Sequence, residues 1–147
     1  MATGDIVWFE EARTLDYFAG WATTDDIKVA VLDNTTAPTA ATATPALADF
    51  TQVGAAGSYT TGGTSIGDWG TVWSEAAGTG TMDSATNPTW TQNASNDVDA
   101  YWGLIYNDTQ IGDPAVAYVE LGGPVDMSAG SLTITWNASG ICTLTAA

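Results

Sequence analysis

Hydrophobic and polar positions along this chain alternate in short blocks separated by Gly, Asn, Asp and Pro, the pattern of many short strands joined by turns. The block Ile27-Lys28-Val29-Ala30-Val31-Leu32-Asp33 is dense in β-branched residues and closes on Asn34-Thr35-Thr36, so it predicts a strand ending in a turn. Ala100-Tyr101-Trp102-Gly103-Leu104-Ile105-Tyr106 predicts an aromatic-rich strand, and Ala115 to Leu121 another, opened by Gly112-Asp113-Pro114. Near the end, Leu132, Ile134 and Trp136 fall on one face of an alternating strand, and Thr133 and Thr135 on the other. Asn137-Ala138-Ser139-Gly140 then predicts a tight turn into a partner strand over Gly140 to Leu144, the two making a hairpin. Weaker strand signals lie at Trp69 to Glu75, which alternates in part, and at Thr89 to Gln92.

Two stretches carry no period. Residues 35–48 hold two prolines among small residues and predict an extended surface loop, because Pro38 and Pro45 obstruct a long helix. Gly54 to Gly67 is rich in Gly, Thr and Ser and predicts a hairpin or a long loop. The start of the chain reads differently. Trp8, Ala12 and Leu15 recur at helical spacing with acids towards the first turn, which predicts a short helix within 5–15, capped by Thr3 or Asp5. That segment is also aromatic enough to serve as an extended arm. The expectation is therefore an all-β protein, an antiparallel β-sandwich or β-barrel with one short N-terminal helix. It is read as one domain over 1–147, with 1–24 as helix or arm and 25–147 as the sandwich.

Charge narrows the partners. The chain of 147 residues carries 17 acids against two bases, Arg13 and Lys28, and no histidine, for a formal charge of −15. Nucleic acid is bound by neutralising phosphates with Lys and Arg, and two bases cannot line a phosphate track. The same field opposes an anionic membrane surface, so neither nucleic acid nor membrane is expected as a partner. A cationic patch or a neutral partner such as a glycan is compatible with it. No apolar run is long enough to span a bilayer, and the N-terminus lacks a basic start and apolar core of a secretory signal, so synthesis in the cytoplasm is expected.

Missing parts exclude most familiar chemistry. Without histidine there is no Ser-His-Asp or Cys-His device, and one cysteine, Cys142, makes neither an internal disulfide nor a His/Cys zinc site. No lysine follows Gly62-Gly63 or Gly122-Gly123 in a phosphate-binding pattern. Acids are abundant enough that any pair chosen as glycosidase carboxylates is unspecific. No enzyme activity and no cofactor are expected. Calcium is the one ion weighed, at Asn93-Ala94-Ser95-Asn96-Asp97-Val98-Asp99, which is read as an acidic turn ahead of a strand. Seven tryptophans raise a sugar-stacking platform at Trp69, Trp73 and Tyr101-Trp102-Gly103, with core or subunit interface as the favoured reading. The Asn-x-Ser/Thr triplets at Asn34, Asn93, Asn107 and Asn137 are common in such a composition and carry no weight.

The order of the strong segments resembles a family of small tailed-bacteriophage virion structural proteins. The likeness rests on Asp25 to Asp33, Ala46-Leu47-Ala48-Asp49-Phe50, Ala100 to Thr109, and a closing pattern of Ala115 to Glu120, Gly122-Gly123-Pro124-Val125 and Ser131 to Asn137. It spans about residues 5 to 144, and Gly54 to Pro88 departs from it. The resemblance implies a capsid-decoration (cement) protein on the outer head surface, a homotrimer seated where copies of the major capsid protein meet. A tail or vertex component and a carbohydrate-binding sandwich are the alternatives. Ile6, Trp8, Phe9, Tyr17, Phe18 and Trp21 are the candidate contacts to the capsid or to a sister subunit, against the reading that they cover one end of the sandwich.

Overall fold

A computed structural model describes residues 2–145 of the chain. Its main sheet has five strands: β1 (Ile6–Trp8), β2 (Asp26–Leu32), β3 (Thr64–Asp68), β7 (Ala100–Asn107) and β8 (Ala115–Val125). They lie in the order β1-β8-β7-β2-β3, every neighbouring pair antiparallel. A three-stranded sheet holds β4 (Trp73–Ala76), β5 (Thr79–Met82) and β10 (Cys142–Thr145), and a two-stranded sheet pairs β6 (Thr89–Trp90) with β9 (Leu132–Thr133). The single α-helix among the described residues, α1 (Trp69–Val72), is one turn. The protein is all-β, and a sandwich fits it.

Register explains why the central strands read as continuous apolar runs. Cross-strand partners share a face, so Ile6, Val119, Gly103 and Val31 form one row, and Trp8, Ala117, Ile105 and Val29 the next, on the same face. The smaller sheets cover that face. A Cβ at Gly103 would stand 2.8 Å from Ile134 Cδ1, so glycine there is what lets Ile134 sit down on the sheet. The opposite face carries Val7, Tyr118, Leu104 and Ala30. Phe9 packs on Tyr118 at 5.2 Å between centroids and on Phe50 at 6.0 Å. The loop expected over 35–48 also lies here: Ala115 N–H donates to Pro45 O, Glu10 N–H to Ala40 O, and Pro38 and Pro45 are buried. With both faces covered, Ala30 to Leu32, Leu104 to Tyr106 and Ala115 to Val119 are buried without alternation.

Four local expectations change. The helix expected within 5–15 does not form; Ile6–Trp8 adds to the edge of the main sheet, followed by 3-10 turns at Glu11–Arg13 and Leu15–Phe18. So short a helix is marginal alone, whereas β8 offers backbone partners, with Gly4 N–H donating to Glu120 O and Phe9 N–H to Val116 O. Trp69 to Glu75 divides into α1 and β4. The Gly122-Gly123-Pro124 turn is absorbed into β8 as a bulge: pairing advances from Glu120 to Val125 on β8 while β7 moves only from Trp102 to Ala100. Gly122 and Gly123 both take φ +94, which a side chain would strain. Finally, the turn at Asn137 to Gly140 closes, but its flanks diverge, β9 to β6 and β10 to β5, so the expected hairpin does not form among the described residues.

Candidate functional site

The six N-terminal candidate residues divide by depth. Phe9 is fully buried and Phe18 nearly so; Ile6, Trp8, Tyr17 and Trp21 are half-buried. α1 assembles their partners. Trp69 and Trp73 are one helical turn apart and stack at 4.9 Å with 12° between planes. The helix is tied to the loop before β2 by Trp69 N–H donating to Asp25 O at 2.7 Å and Gly70 N–H to Thr23 O at 2.9 Å. Phe18 sits against this pair, 4.9 Å from Trp69 and 4.8 Å from Trp73, and Trp21 meets Trp69 at 4.8 Å. The Tyr17 hydroxyl donates to Ala115 O at 2.9 Å, and burial pushes its pKa up to about 12. The result is an aromatic wall in which Trp8, Tyr17 and Trp21 stay half-buried.

A second feature adjoins the wall at Ile6. Where the main sheet ends at β1 and the bulged β8, a cleft of about 580 Å³ opens against the segment 132–142. Ile6, Val119, Ile134 and Ile141 make its apolar part, with Trp136 and Cys142 beside them. Leu132 and Ile134 are buried as the alternation predicts, with Thr133 and Thr135 exposed. Trp136, beyond the end of β9, lines the same cleft as Ile134 and stays half-buried. Burial raises the Cys142 thiol to about 12, so it stays protonated at neutral pH.

None of the residues weighed as a sugar platform, Trp69, Trp73 and Tyr101 to Gly103, lines this cleft. Trp69 is inside the wall, and Trp102 is half-buried with its indole N–H donating to Asn34 Oδ1 at 3.2 Å. The loop weighed for calcium is cross-linked by its own side chains. Asn96 is buried and bonds to Ser58, Thr91 and Met127. Asp97 accepts from the N–H groups of Gly54, Val98 and Asp99, which together hold its carboxyl below the usual range against the opposing effect of burial. Asp33, Asp97 and Asp99 line one shallow hollow, and no group of three metal-ligating side chains is found among the described residues.

One buried acid went unremarked in the sequence. Asp25 is 2% exposed and takes hydrogen bonds from Asn107 Nδ2 at 3.0 Å, Gln110 Nε2 at 2.6 Å and the Ala22 N–H at 3.1 Å. The Asn107 and Gln110 amides hold its carboxyl below the ordinary range. It fastens the turn before β2 to the end of β7, a structural anchor rather than a reactive group. No family model, curated protein or solved structure matches the chain.

Proposed function

We propose that this chain is a non-enzymatic phage virion structural protein, a capsid-decorating protein on the outer surface of the head. In this reading it is made in the host cytoplasm and seated as a homotrimer where copies of the major capsid protein meet. The observation that carries the reading is the unopposed charge of the exterior. Of the two bases, Lys28 is bound to Asp108 at 2.6 Å with Asp26 at 3.9 Å, and Arg13 donates to the backbone oxygen of Trp8. The net charge of −15 is therefore left with no free cationic track to offset it, which suits solvent or a basic capsid patch and disfavours packaged DNA. The half-buried edges of Ile6, Trp8, Tyr17 and Trp21 supply an apolar contact on a rigid backing. A protein that binds only the assembled shell stabilises it by mass action, without catalysis. The order of sequence segments that resembles tailed-phage structural proteins supports the same reading.

Quantitative mass spectrometry of purified particles tests it. Copies comparable in number to the major capsid protein are expected. A few copies per particle would move the chain to the tail or a vertex, and absence from particles refutes a virion role.

A further inference from the structure

We propose that the cleft between the main sheet and the 132–142 segment binds a neutral oligosaccharide, with Trp136 as the surface on which a pyranose ring packs. The inference does not rest on the virion reading. The indole is held in place before any ligand arrives: its Nε1–H donates to Thr86 O at 2.8 Å, and its backbone N–H to Asn87 Oδ1 at 3.0 Å. Its position leaves it half-buried at the cleft, and a ring so fixed loses little freedom on stacking. About 580 Å³ lies within the range of small-molecule pockets and accommodates a short glycan.

The rest of the lining matches the two-sided chemistry of a sugar. An apolar floor faces C–H groups, while Thr3, Asp5, Glu120, Thr135 and Asn137 bring hydroxyl, carboxylate and amide groups to the same cleft. The Ser139 N–H occupies Asn137 Oδ1 at 2.9 Å, which leaves the amide N–H2 as the available donor. No Lys or Arg lines the cleft, so sulfated or sialylated chains are repelled by Asp5, Glu120 and the field of the whole chain. An uncharged ligand is the class selected.

The test follows the Trp136 indole N–H resonance of the intact chain. The probes are neutral oligosaccharides of about two to four hexose or N-acetylhexosamine units, with sialylated glycans and a basic peptide as controls. At least one neutral sugar is expected to move that resonance saturably; in titration calorimetry, which also reads variants that lack the indole, Trp136→Ala should weaken binding of that sugar about tenfold or more. Trp136→Phe should keep most of the affinity. Thr135 is exposed on the rim, so Thr135→Arg should block binding without disturbing the fold, which the remaining spectrum checks. The proposal is overturned if no neutral sugar moves the resonance, if binding survives both Trp136→Ala and Thr135→Arg, or if the basic peptide or sialylated glycans occupy the cleft in preference.

Discussion

Asn96 offers the sharpest test of how the 93–99 loop is held. Its side chain is 5% exposed; Oδ1 accepts the Ser58 N–H at 2.6 Å, and Nδ2 donates to Thr91 O at 3.0 Å and Met127 O at 3.1 Å. Asn96→Ala removes these three bonds to backbone groups, along with the contacts to Ser58 Oγ, and leaves the buried Met127 carbonyl with only a long bond from the Asn93 N–H at 3.5 Å. At about 1 kcal/mol net per bond, the expected loss is about 3 kcal/mol. Unfolding entropy of about 2.1 cal/mol/K per residue puts that near a 10 °C fall in Tm for a chain of 147 residues. Asn96→Asp is the discriminating variant. It keeps the shape and the acceptor for Ser58, but sets a second carboxylate oxygen against the carbonyls of Thr91 and Met127, and it buries a charge. If the loop is a hydrogen-bonded hub, Asp costs at least as much as Ala, and acidification recovers part of the loss by restoring a donor. If it is a calcium site, Asp adds a ligand and calcium at about 5 mM stabilises the variant. Thermal unfolding by circular dichroism, with calcium and with a chelator, decides it. An Asn96→Asp variant as stable as the parent, or a parent whose Tm rises with calcium, refutes the hub.

Other consequences follow from the same contacts. Phe18→Ala empties the space beside the stacked Trp69 and Trp73 and should cost about 3–5 kcal/mol in urea unfolding, more than Trp21→Ala at the half-open edge. Gln110→Ala removes a bond that lowers the Asp25 pKa from 3.8; a depressed carboxyl stabilises the fold above its unfolded pKa and loses that effect as pH falls through the folded value. The stability deficit of Gln110→Ala should therefore be full at neutral pH and shrink below about pH 3.8, as urea titrations at stepped pH will read. Cys142, its thiol raised to about 12, should react slowly with a disulfide reagent at pH 8 in the folded chain and rapidly in denaturant. Because a charge of −15 repels itself, Tm should rise between about 10 mM and 500 mM sodium chloride; a flat profile would show the acids to be too widely spaced to matter.

The three central strands were legible because β-branched composition and turn residues bound them on both sides, and β2 begins within a residue of its expected position. Partner choice was not. The 132–136 alternation correctly separates Leu132 and Ile134 from Thr133 and Thr135, but alternation tells which face is buried, never which strand lies alongside. So the turn at Asn137 invited a local hairpin, while the actual partners of β9 and β10 are β6 and β5, far back in the chain. The N-terminus failed for a related reason. Trp8, Ala12 and Leu15 suit one helical face, yet the free edge of β8 supplies backbone hydrogen bonds that no local periodicity reveals. Glycine pairs were ambiguous in the same way: Gly122-Gly123 breaks a strand in most settings, and here it bends one that continues.

Aromatic content posed a question that only depth could resolve. Counting tryptophans cannot separate Trp69, buried against Phe18 and Trp73, from Trp136, which lies beyond the end of β9 and stays half-buried at the cleft. Burial and charge then act together on the candidate surfaces. The interior consumes Phe9 and Phe18, the two bases are engaged, and the carboxylates favour solvent or cations, so apolar contact with a partner falls to the rims. Two such rims meet at Ile6, the aromatic wall on one side and the Trp136 cleft on the other. If both proposed contacts exist, substitutions at Tyr17 or Trp21 should weaken shell binding while leaving sugar binding at Trp136 intact, because neither of these two residues lines the cleft.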